Sequence, residues 1–273
     1  MFGRFKKEKP APVGRQGDVP DNKENAGWVT PVYETSRPIR LDPHVAAENR
    51  CIALLPGSPS LEAYKVLRTK ILKQTRENGW NTIMVTSALP GEGKTLTSIN
   101  LSLTFAREFS QTVLLVDCDL RKQNIHEVLG IESRLGLIDY LMKDISMNEI
   151  VIWPGIEKFT LISGGRTIED SAELLGSPKM KMIFQEMKNR YPDRYVFFDV
   201  PPLLSGSDAL TFSTLVDGIL MVVQAAKTSM EDVERAVEMI PREKFLGFVI
   251  NRFNSHISNY DTKTYGYPVK TAS

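Results

Sequence analysis

Residues 88–95 read Ala88-Leu-Pro90-Gly91-Glu92-Gly93-Lys94-Thr95, with the apolar run 82–86 just before them and a helical pattern over 96–109 just after. Each residue type in this stretch has a chemical reason to be there. Glycines at 91 and 93 let the main chain curl so that its N–H groups converge on phosphate oxygens, and the start of the following helix adds to the attraction. Lys94 brings a flexible positive charge to the β- and γ-phosphates, and Thr95 offers a hydroxyl to Mg2+. The expected cradle for ATP therefore runs from Pro90 to Leu96. A glycine turn that merely caps a helix is the plain alternative, and the strand–loop–helix setting argues against it.

Working outward, short apolar runs alternate with helical segments. Strands are expected at 82–86, 113–116, 159–162, 195–199, 218–223 and 246–250, and helices at 96–109, 178–189 and 230–239. Strands that are apolar throughout and separated by helices imply a mostly parallel central sheet flanked by helices on both faces, the α/β architecture of P-loop NTPases. Upstream, Ser58 is placed to cap a helix with Leu61, Tyr64, Leu67 and Ile71 along one face. Residues 1–57 are rich in Pro, Gly, Asn and charge without a sustained period, which predicts a disordered or loosely ordered segment. The ordered domain is expected over 58–253, and 254–273 read as a flexible polar tail.

Ligands of such sheets lie beyond the C-terminal strand ends, and two further strands end there in acid. Val113-Leu-Leu-Val-Asp117-Cys-Asp119-Leu-Arg121 carries two carboxylates and an arginine, and Tyr195-Val-Phe-Phe-Asp199 ends in one. A lone Asp after a strand is ordinarily a turn residue or a cap. In the same sheet as a phosphate loop, Asp117, Asp119 and Asp199 become candidates, with Thr95, for holding Mg2+. Asp117 and Asp119 also become candidates for taking the proton of an incoming hydroxyl. The sequence does not choose between these two as the base. Nor does it say whether Arg121 braces phosphate charge or pairs with an acid.

Composition narrows the function further. The 34 Lys and Arg residues nearly balance 33 Asp and Glu, so bulk charge gives no pull towards nucleic acid. The two cysteines, Cys51 and Cys118, form no CxxC or Cys/His cluster, which fits a reducing compartment. No apolar run approaches the ~20 residues that cross a bilayer, and the N-terminus lacks a secretory pattern. The expectation is a cytoplasmic protein.

The three segments together resemble the bacterial tyrosine kinases of exopolysaccharide and capsule assembly. Ala88–Thr95 corresponds to their Walker A motif, Leu114–Arg121 to a second, Walker A-like motif ending in Asp-x-Asp-x-Arg, and Val196–Pro202 to Walker B. The segments His126-Glu-Val-Leu-Gly130, Gly136-Leu-Ile-Asp-Tyr-Leu141 and Ala172-Glu-Leu-Leu-Gly-Ser177 are similar too. The resemblance implies an autokinase using ATP and Mg2+, with Lys94, Asp117, Asp119 and Asp199 in the site. It also implies that Asn251, with Arg252 beside it, lies at the nucleotide and that Asn251 contacts the adenine. Glu62-Ala-Tyr-Lys65-Val-Leu-Arg68 differs from the family's ring-assembly pattern, Glu-x-x-Arg-x-x-Arg, by one lysine. Homo-oligomers and a separate membrane activator of the chain-length-determining group are the implied partners, besides other tyrosine-phosphorylated proteins. Recruitment to the inner face of the cell membrane by that activator follows.

Tyr260, Tyr265 and Tyr267 stand in the polar tail, where aromatic rings have no core to fill. They resemble the family's C-terminal tyrosine cluster and are the expected autophosphorylation sites. The rival reading is an ATPase switch of the septum-positioning and partitioning type. Those proteins carry a signature lysine where this chain has Leu89, and the septum-positioning ones end in a basic amphipathic helix that residues 254–273 do not resemble. A protein that binds ATP without turnover is a second alternative.

Overall fold

A computed structural model of the chain describes residues 37–55 and 58–253. A short strand β1 (Arg37–Pro38) and helix α1 (Pro43–Glu48) come first. The long helix α2 (Pro59–Asn78) leads into β2 (Thr82–Ser87), α3 (Lys94–Ala106) and β3 (Thr112–Asp117). Three short helices follow, α4 (Ile125–Leu129), α5 (Leu137–Met142) and α6 (Met147–Ile150), then the hairpin β4 (Val151–Trp153) and β5 (Phe159–Ile162). Next come α7 (Ser171–Leu175), α8 (Pro178–Asn189), β6 (Arg194–Asp199) and α9 (Asp208–Ser213). The last elements are β7 (Gly218–Gln224), α10 (Met230–Glu238) and β8 (Phe245–Asn251).

The strands form one eight-stranded sheet in the order β1-β4-β5-β3-β6-β2-β7-β8. Every pairing is parallel except the β4–β5 hairpin. Successive residues of β3 and β6 go to opposite cores. Leu114, Val116, Val196 and Phe198 pack with α5, α8 and α9. Val113, Leu115, Tyr195 and Phe197 pack with α2 and α3. Helices therefore cover both faces, which is why the central strands β2, β3 and β6 are buried at nearly every position.

Register is what assembles the strand ends. Asp117 on β3 and Asp199 on β6 are direct Cα partners, and Val85 on β2 pairs with Asp199 on its other side. Three chemically loaded segments thus leave adjacent strands on the same edge of the sheet, with β6 in the middle.

Helix α2 presents the expected face: Leu61 and Ile71 are buried, and Tyr64 and Leu67 pack beside them. Ser58 holds the N-cap position but makes no side-chain capping bond, and Gly79 closes the other end in the left-handed conformation at φ 67°. Glu62 and Lys65 form an ion pair on the exposed side of α2. Arg68 reaches the end of α3 instead, bonding the Thr104 carbonyl at 2.8 Å and Glu108 at 2.9 Å.

The start of the ordered chain differs from the sequence reading. Residues 37–55, expected to be loosely ordered, are packed on the domain. Ala46, Cys51 and Ala53 are fully buried, and the Ile39 N–H continues the sheet edge by donating to the Trp153 carbonyl at 3.0 Å. Asn100 of α3 accepts the Ala53 N–H at 3.0 Å, and Asn49 donates to the Val128 carbonyl at 3.1 Å. The segment carries no sequence signal because its buried side chains are small and its helix has only six residues, too few to display a period. Residues 254–273, with the three tail tyrosines, lie outside the described residues.

Candidate functional site

The loop between β2 and α3 takes the conformation its glycines permit. Gly91 and Gly93 have φ of 83° and 97°, a region that L side chains rarely enter. Gly93 is constrained twice, because a Cβ there would stand 2.1 Å from Nδ2 of Asn251. Pro90 and Gly91 are exposed at the rim, whereas Glu92 and Lys94 are buried. Leu96 turns its side chain into the core on the α2 side, so its contribution to a ligand is limited to the main chain.

Lys94 Nζ lies 2.7 Å from Oδ2 of Asp119 and 3.5 Å from Oδ2 of Asp199. Thr95 donates its hydroxyl to Oδ2 of Asp199 at 2.7 Å, and Ser98, one turn later, donates to Oδ1 at 3.1 Å. The first turns of α3 thus hold both oxygens of the strand-end carboxylate. Burial acts to lower the Lys94 pKa, but the charges of Asp199 and Asp119 outweigh it and raise it. Asp199 is pushed above the usual carboxylate range by burial, against the pull of Lys94 and the Thr95 hydroxyl.

Asp117 is turned elsewhere. Its Oδ1 accepts the Asp119 N–H at 3.1 Å, and its Oδ2 accepts those of Asn124 and Ile125, each at 3.2 Å. The side chain is fully buried, and burial followed by the Asp199 charge pushes its pKa up to about 8. Asp117 therefore folds the 118–125 loop and starts α4. Where three carboxylates were expected around one metal, the oxygens of Asp117 accept main-chain N–H bonds of the 118–125 loop. Among the described residues, no group of three or more His, Cys, Asp or Glu side chains is arranged to hold a metal ion.

The alternative left open for Arg121 closes on the acid. Its Nε donates to Ser171 Oγ at 2.9 Å and its Nη2 to Asp208 Oδ1 at 2.9 Å. Ser171 in turn donates to the other oxygen of Asp208, which is buried. Arg121 thus anchors the loop after Asp119 to α7 and α9 and is not directed at the phosphate loop. Asn251, expected at an adenine, has its amide on the phosphate loop, donating to the Glu92 carbonyl at 2.7 Å. Arg252 reaches Gln224 at 3.2 Å. Ser98 was readable in principle, since it falls four residues after Lys94 on the same helical face. Ser171 and Asp208 gave no sequence signal.

The remaining donor set suits a metal carried in by a nucleotide. Mg2+ keeps several waters and uses one or two protein oxygens together with substrate phosphates. The Thr95 hydroxyl and the Asp199 carboxylate, in contact at the base of the loop, form such a pair.

Comparison with known proteins agrees with this geometry. Residues 80–252 match the family AAA_31, described as an AAA domain. The tyrosine-protein kinase YwqD of Bacillus subtilis strain 168 is 34% identical over 198 residues, covering 72% of this chain and 82% of that protein. The kinase domain of the Escherichia coli tyrosine kinase ETK superposes with a TM-score of 0.69 at 25% identity, covering 81% of this chain and 89% of that one. The septum site-determining protein MinD of Pyrococcus horikoshii, complexed with Mg-ADP, shares the fold. Its TM-score is 0.53 at 23% identity, over 64% of this chain and 71% of that one.

Proposed function

The chain belongs to the bacterial tyrosine-protein kinases built on a P-loop AAA-type domain, and we propose that it transfers the γ-phosphoryl group of ATP to tyrosines of its own C-terminal tail. The observation that carries this reading is the placement of Lys94 between Asp119 and Asp199, with Thr95 on the same Asp199 oxygen. A single cation shared by two buried carboxylates is poised to exchange one of them for phosphate oxygens.

In this reading the amides of residues 90–95 lie along the polyphosphate, and Lys94 moves from Asp119 to the β- and γ-phosphates. Thr95 and Asp199 hold Mg2+. When bound, the metal offsets the negative charge of the β- and γ-phosphoryl oxygens. Asp119 is the base, because Asp117 is committed to main-chain amides while Asp119 keeps Oδ2 on Lys94 alone. A tyrosine hydroxyl ionises near pH ~10, so a carboxylate freed by the departing lysine lowers the barrier to attack. The phenolic oxygen bonds to the γ-phosphorus, the bond to the β–γ bridging oxygen breaks, ADP leaves, and the phenolic proton passes to Asp119.

The acceptors in this proposal are Tyr260, Tyr265 and Tyr267, presented between subunits of a homo-oligomer. Each phosphate adds roughly −1.5 to −2 charges, so full modification adds about −5 to the tail and drives it from an acidic site. Capsule or exopolysaccharide assembly is the proposed setting, with a membrane activator of the chain-length-determining group recruiting the kinase to the membrane face. No helix among the described residues is long and apolar enough to cross a membrane.

Incubation of the purified protein with Mg·ATP, followed by phosphosite mapping, tests the reading, with Lys94→Ala as control. Phosphate on the three tail tyrosines in the parent alone is the expected result. ATP consumption with an unmodified tail, even after addition of an activator's cytoplasmic segment, would instead favour a switch ATPase.

A further inference from the structure

Glu92 lies in the middle of the phosphate loop, yet its side chain is 3% exposed and faces away from the rim. One carboxylate oxygen, Oε2, accepts the N–H of Leu89 at 2.7 Å, closing the loop across three residues. The other, Oε1, receives the Thr228 hydroxyl and lies 3.4 Å from the Gln224 N–H. Thr228 Oγ1 itself accepts that same N–H at 3.0 Å. On the main-chain side, the Glu92 carbonyl receives the Asn251 amide at 2.7 Å, the amide that also fills the space beside Gly93. One residue therefore joins the first turn of the loop to the ends of β7 and β8.

A loop whose amides must converge on phosphate loses affinity if binding has to order it first. Hydrogen bonds to a carboxylate are about twice as strong as neutral ones, and in a buried setting they fix geometry as well. We infer that the Glu92 side chain is a positioning group that preorganises the phosphate loop by fastening it to Thr228 and the β7–α10 turn, while only the main chain of residue 92 faces the nucleotide. The inference rests on residues 88–95 being the nucleotide site and not on tyrosine being the acceptor.

The test uses the full chain and calorimetric titration with Mg·ADP, alongside thermal unfolding without nucleotide. Glu92→Ala is expected to weaken binding by about tenfold, and Glu92→Gln, which keeps an acceptor for the Leu89 N–H, by about threefold. Thr228→Val removes the far contact together with an acceptor of the Gln224 N–H, so it is expected to weaken binding by about threefold and to add nothing further when combined with Glu92→Ala. In a tail-phosphorylation assay, Glu92→Ala should raise KM for ATP and leave kcat within about twofold, the signature of binding lost equally in the ground and transition states. Parent-like affinity in Glu92→Ala, or additive effects of the two changes, overturns the inference. Should Glu92→Ala not fold, parent-like affinity in Thr228→Val does so alone. If Mg·ADP binds with the expected pattern while the tail stays unmodified, the kinase reading fails and this inference stands. If the parent binds no Mg·ADP, the inference falls.

Discussion

Lys94 Nζ sits 2.7 Å from Asp119 Oδ2, a contact that joins the start of α3 to the loop after β3. It couples two motifs separated by a whole strand–helix unit, so the lysine that should grip phosphate is held by the carboxylate that should act beside it. The 3.5 Å approach to Asp199 makes Lys94 the shared countercharge of the site.

Replacing Lys94 by Ala leaves Asp119 and Asp199 without that cation in a nearly dry setting. Phosphotransfer should fall below detection, and the nucleotide-free protein should lose about 3 kcal/mol at neutral pH, the scale of a broken buried ion pair. Because burial pushes the Asp199 carboxyl above its usual range, its protonation relieves the imbalance as pH falls, and the difference should shrink towards pH 4. Urea unfolding at both pH values measures it, and an unchanged midpoint at neutral pH would reject the countercharge role.

Asp117 and Asp119 should respond differently to the same change. Asp117→Asn turns an amide N–H towards main-chain donors of Asp119, Asn124 or Ile125, so a stability loss of about 2 kcal/mol is expected. Asp119→Asn should cost less stability than Lys94→Ala, because Lys94 keeps Asp199 as its countercharge, but slow tail phosphorylation by about 100-fold or more. Thermal unfolding paired with a phosphorylation time course separates the two. Full activity in Asp119→Asn would sink the assignment of the base.

Asp217, at the start of β7, gives a pH prediction remote from the site. Burial would raise its pKa, but the Lys188 ammonium, the Thr82 hydroxyl and the Asn81 N–H outweigh it and hold the carboxyl below its ordinary range. A lowered folded-state pKa stabilises the fold above the unfolded value, near ~4, and the benefit disappears as pH falls through the folded value. Asp217→Asn should therefore cost about 1–2 kcal/mol at pH 7 and little at pH 2–3. Equal loss at both pH values would show that shape, not charge, accounts for the effect.

Residues 37–55 should be needed for a stable domain. A chain beginning at residue 58 loses the buried Ala46, Cys51 and Ala53, the Asn49 amide that donates to the Val128 carbonyl, and the Ala53 N–H that Asn100 accepts. Relative to a chain beginning at residue 37, it should lose at least about 3 kcal/mol. Denaturant titration of the two chains decides it, and matching midpoints would show that the segment is only an attachment.

The legible part of the protein was the part encoded by neighbours in sequence. A glycine bend, a lysine and a threonine within eight residues specify a phosphate loop because main-chain dihedrals and the start of a helix are local properties. The helix over residues 178–189 was read at the bounds it has, with Pro at its start and an apolar face at helical spacing. Strand β4 has three residues and α6 four, lengths at which no period can show, and both went unread.

The sequence by itself determined a covered parallel sheet, the loop beyond β2 and the presence of acid at two further strand ends. Tertiary structure alone decided which donors each acid meets. Strand register set Asp117 beside Asp199, yet main-chain N–H groups claimed Asp117, hydroxyls of α3 claimed Asp199, and Lys94 was left to Asp119. Arg121 likewise found its acid 87 residues away. Such choices depend on which donors reach each oxygen through space, and chain spacing carries no record of that distance.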